Sequence, residues 1–232
     1  MQARGIAMHW PWECAVLFDD ARMALLLPGR NRSLALLRWA RAQGAHTAHA
    51  ASDRPRVLHG RQVPDGYRAA VLLTPLAARM RSLLRRLLDA SYDSERNHWR
   101  RTCAALYALD LESAEGLVAS LREGGSEVVI SPAFGLAQPQ AHYVEAVRCC
   151  GGRVVASMGE LRAALCACQA VGEDAPLPDV YHASAAEARA KVATVTDDVI
   201  HELVHLLWPE DVALFGGEMG AVPAALCMRH EP

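Results

Sequence analysis

The sharpest chemical signal in this 232-residue chain is His201-Glu202-Leu203-Val204-His205, an H-E-x-x-H spacing inside DDVIHELVHLLWPED (197–211). On a helix, residues i and i+4 project from one face a turn apart, so two imidazoles can hold one Zn²⁺. The adjacent Glu202 can then act as general base on a metal-bound water, whose pKa zinc lowers towards about 7. The spacing therefore predicts a zinc-dependent hydrolase acting on a peptide or another amide, with His201 and His205 as ligands. Apolar flanks (Val199, Leu203, Val204, Leu206, Leu207) and the acidic start Asp197-Asp198 suit such a helix. An amphipathic helix turning Asp198, His201, Glu202 and His205 to solvent would read the same way.

A catalytic zinc takes a third protein ligand. Extended to Asp211, the stretch reads H-E-x-x-H-x-x-W-x-x-D and resembles the metzincin zinc peptidases, which implies Asp211 as that ligand; Trp208 stands where that group has glycine. Glu218 in the same role would be similar to a gluzincin. FGLAQPQ (134–140) resembles the G-L-A-A-P-Q motif of peptide deformylases, in which an intervening cysteine completes the metal site, here Cys166 or Cys168. Because the loop AFGLAQPQ follows a strand end and leads into a helix at 139–149 whose first N–H groups are available to an anion or a carbonyl oxygen, it is expected to line the main pocket, with Gly135 and Gln140 against the ligand.

The elements that would position these groups follow from pattern. AAVLLTPLAARMRSLL (69–84), EVVISPAFGLAQPQAHYVEAVRCC (127–150) and RVVASMGELRAALCACQ (153–169) each run from a buried-strand signature through a turn into a helix. This alternation predicts an α/β fold: a mixed or mostly parallel sheet with flanking helices and a helical C-terminal segment. Residues 69–74, 127–131 and 153–157 are expected in that sheet, and WECAVLF and MALLLPG are read as strands around an Asp19-Asp20 turn. NRSLALLRWARAQG (31–44) reads as a helix. The organisation expected is an α/β domain over 1–172 and a helical segment over 173–232, packed on it and carrying H-E-x-x-H.

Composition narrows the function classes. A chain 52% hydrophobic, 22% charged and of net charge −2 is of ordinary globular type. No apolar run reaches the roughly 18 residues a membrane span needs, and the N-terminus lacks a signal-peptide pattern, so the expectation is a cytoplasmic protein with no membrane partner. Seven irregularly spaced cysteines read as reduced thiols. RMRSLLRRLLDASYDSERNHWRR (79–101) is basic, but its apolar residues recur at helical spacing, which favours a solvated helix face over a nucleic-acid surface. The rival to the hydrolase is a non-metal α/β protein that binds a small ligand or a protein partner at the carboxyl ends of its strands, near Thr74, Ser131 and Ser157.

Overall fold

The computed structural model describes residues 14–28, 33–43, 46–47, 63–92, 108–125, 139–176, 185–227 and 229–230. Strands β1 (Cys14–Phe18) and β2 (Met23–Leu27) form an antiparallel pair in the register Cys14↔Leu27 to Phe18↔Met23. Their turn closes with the Arg22 N–H donating to the Asp19 carbonyl at 3.0 Å. All five residues of β2 are buried, as a strand covered on both faces requires. After helix α1 (Ser33–Ala42) and the short β3 (His46–Thr47), β4 (Arg68–Leu72) runs parallel to β2. Helices α2 (Leu76–Leu88), α3 (Ala114–Ser120) and α4 (Gln140–Cys150) lead to β5 (Gly152–Val155), parallel to β4. Then follow helices α5 (Met158–Ala167), α6 (Ala186–Ala193), α7 (Asp197–Leu207) and α8 (Pro209–Leu214), and β6 (Arg229–His230) antiparallel to β5.

The sheet order is β3-β1-β2-β4-β5-β6. It is a mixed sheet between helical layers, so the α/β class holds. Two of the three expected runs, 69–74 and 153–157, supply neighbouring parallel strands; 127–131 lies outside the described residues. Gly152 is required at that junction. Its φ is +153°, and a Cβ there would meet the Ala69 carbonyl oxygen at 1.8 Å.

Side chains alternate between the two faces, as the period of a strand dictates. Val16, Phe18, Leu25, Leu27, Ala70, Leu72 and Val155 pack with α1 and α5. Ala15, Leu17, Ala24, Leu26, Ala69, Val71 and Val154 pack with α2, α4, α6 and α7. Ile200, Leu203, Val204 and Leu207 join this second core beside Met80, Leu83, Leu84 and Leu87. The C-terminal helices therefore share a core with the sheet.

Among the described strands, the direction in which the chain crosses the sheet reverses between β2 and β4. From β2 the chain crosses one face through α1 to β3 at the far edge; from β4 it crosses the other face through α2 and α4 to β5. Right-handed crossovers running in opposite directions must lie on opposite faces. The chains leaving the adjacent parallel strands β2 and β4 thus part company at their carboxyl ends.

Candidate functional site

Helix α7 starts at Thr196, whose side chain accepts from the Val199 N–H at 3.5 Å, with Asp197 and Asp198 in its first turn. Its apolar arc is buried against α2, which turns the opposite arc outward. His201, Glu202 and His205 are all exposed. The Arg122 guanidinium, just beyond α3, grips the Glu202 carboxylate with two hydrogen bonds, one from Nε at 2.7 Å. Those bonds and the guanidinium charge hold the Glu202 carboxyl below its ordinary value. A general base at neutral pH benefits from a shift in the other direction.

Asp211 is not brought to the histidines. It is fully buried, accepting from Arg79 Nη1 at 3.1 Å and from the Ala141 N–H at 2.7 Å. The Arg79 guanidinium lies 4.3 Å from the Trp208 ring centre, inside cation–π range. Burial pushes the Asp211 carboxyl up, while Arg79, the N–H groups of Gln140 and Ala141, and His142 pull it down. Trp208 ends α7 and Pro209 opens α8 at once, so the chain turns here around a buried indole with no glycine.

The other proposed ligands are equally committed. Glu218 is exposed and its Oε1 accepts from the Gly220 N–H at 3.0 Å. Cys166 and Cys168 pack against the core on the α1/α5 side of the sheet, whereas α7 lies on the other side. Among the described residues, no three His, Cys, Asp or Glu side chains are grouped to hold one metal ion. Among the described residues, none of the expected third ligands is brought together with His201 and His205.

Gln140, expected against substrate, is buried and clamps the chain beyond β4. Its Oε1 accepts from the Thr74 N–H at 2.8 Å, and its Nε2 donates to the Thr74 carbonyl at 3.0 Å. Gly135 and most of the AFGLAQPQ loop lie outside the described residues, as does Ser131. The helix start after that loop does receive an anion, but an internal one: the Asp211 carboxylate on Ala141. Ser157 begins α5 through a capping box, its Oγ accepting from the Glu160 N–H at 3.2 Å while Glu160 accepts from the Ser157 N–H at 3.1 Å. At α2, the Ala77 N–H donates to the Met219 carbonyl at 3.1 Å.

Of the arginines of the basic stretch 79–101 that fall among the described residues, two, Arg79 and Arg86, are buried and two, Arg81 and Arg85, are half-buried. Arg81 donates to the Val192 and Val195 carbonyls at 3.4 and 3.2 Å and to Asp197 Oδ1 at 2.6 Å, joining the end of α6 to the start of α7. Sequence reasoning missed Arg79, Arg81 and Arg122 as partners of acidic residues in the C-terminal segment. The available signal was their place on or beside apolar faces of helices that must pack. No family model, curated protein or solved structure matches the chain.

Proposed function

We propose that this α/β protein binds a small ligand beyond the carboxyl ends of β2 and β4, without a catalytic zinc at H-E-x-x-H. The observation that carries this reading is the divergence of α1 and α2 to opposite faces from those two neighbouring parallel strands. Such a parting leaves a crevice at the strand ends, where open α/β sheets take their ligands. Half-exposed Thr74 and Pro75 stand at its β4 side, and buried Pro28 follows β2. The Gln140 clamp fixes the Thr74 backbone, which makes this edge of the strand ends rigid.

The test is a thermal-shift screen of small metabolites on the full chain, followed by Thr74→Tyr to fill the strand-end crevice. Loss of binding in that variant, with its stability retained, supports the reading. Undiminished binding, with amide shifts confined to α7, overturns it. The hydrolase alternative rests on the H-E-x-x-H spacing. It requires a zinc-dependent peptidase or amidase activity that Glu202→Gln abolishes.

No helix among the described residues is long and apolar enough to cross a membrane.

A further inference from the structure

His201 and His205 remain after the fold has absorbed the rest of their motif. Both are exposed, one turn apart on a helix whose opposite face is fixed in the core by Ile200, Leu203, Val204 and Leu207. Neither ring is engaged by a hydrogen bond or ion pair among the described residues, in contrast to His142, which meets Glu210 at 2.9 Å. Glu202, between them in sequence, is occupied by Arg122.

We propose that His201 and His205 form a two-imidazole surface chelate for a divalent transition ion, with solvent in the remaining positions. The chemistry follows from spacing and rigidity. Residues four apart on a helix hold their Cβ atoms about 5–6 Å apart, so two imidazoles can converge on one ion. Because α7 is packed along its length, little order has to be created on binding. Neutral imidazole suits zinc, copper and nickel, whereas magnesium and calcium prefer oxygen donors. This site is distinct from a catalytic zinc: it needs no third protein ligand and assigns no role to Asp211 or Glu202. It is also independent of the strand-end reading.

Titration of the full chain, free of any histidine tag, with Zn²⁺ and Ni²⁺ in a calorimeter tests it, with Mg²⁺ as control. One zinc or nickel ion should bind per chain, and magnesium should give no heat. His201→Ala and His205→Ala should each weaken zinc binding at least about tenfold, the factor that corresponds to 1.4 kcal/mol. Glu202→Gln and His142→Ala should bind zinc as the parent does. No zinc or nickel binding by the parent chain would overturn the proposal. So would a single-histidine variant that binds like the parent, or loss of binding in Glu202→Gln.

Discussion

Replacing Asp211 with alanine separates a buried structural carboxylate from a metal ligand. The substitution withdraws the negative partner from the Arg79 guanidinium, itself fully buried, and removes the acceptor for the Ala141 N–H. Breaking a buried ion pair from one side costs about 3–5 kcal/mol. That is a large share of a total stability of about 5–15 kcal/mol. For a chain of this size each kcal/mol moves the melting temperature by about 2–4 °C, so the midpoint should fall by roughly 6–20 °C. Asp211→Asn should lose less than Asp211→Ala, because it keeps an acceptor for the Ala141 N–H. Replacing both partners, Arg79→Met with Asp211→Leu, should recover much of the loss, since an apolar pair removes both buried charges together. Urea unfolding of the single and double variants gives the coupling energy directly. A loss below about 1 kcal/mol in Asp211→Ala, well short of the cost expected for a broken buried pair, would refute the structural assignment. So would a stability loss that appears only after zinc is added.

Gly152→Ala should destabilise by about 2–6 kcal/mol, combining overpacking and backbone strain of about 1–3 kcal/mol each, because its Cβ would strike the Ala69 carbonyl; denaturant midpoints check this. Arg122→Ala should release Glu202 and return its carboxyl towards the ordinary value, a rise that NMR titration of the Glu202 side chain can follow. Asp89 joins the end of α2 to the start of α6 by accepting from Ser91 and from the Ala185 N–H at 2.7 Å. Burial alone would raise its carboxyl, but these bonds and Arg86 hold it below the ordinary value of 3.8. Its stabilisation should therefore persist above that value and disappear as pH falls through the lowered one. The protection of the Ala185 amide, measured against its intrinsic exchange rate at each pH, should fall over that acid range in the parent chain and should already be low at neutral pH in Asp89→Ala.

The α/β class was legible because it depends on local repeats. Apolar runs such as MALLL and RVV, each ending at a turn and helix start, fit buried strands whatever their neighbours, and the alternation implies crossovers. The Ser157 cap was legible for the same reason, since its partner Glu160 is three residues away. Spacing also placed His201, Glu202 and His205 on one helical face. Which way that face points was beyond it. An amphipathic helix and a catalytic helix share one pattern, and the choice between them lies in α2, over a hundred residues earlier, which takes the apolar arc and leaves the histidines to solvent. Asp211 and Gln140 make the point at longer range. Read along the chain, one was a spacing from His205 and the other a match in a loop. In space, Asp211 faces Arg79 across 132 positions and Gln140 grips Thr74 across 66. Burial obliges each to spend its hydrogen bonds on whatever the fold sets beside it. Side-chain type and local period belong to the sequence, whereas the partner of a buried polar group is chosen only when distant elements close around it.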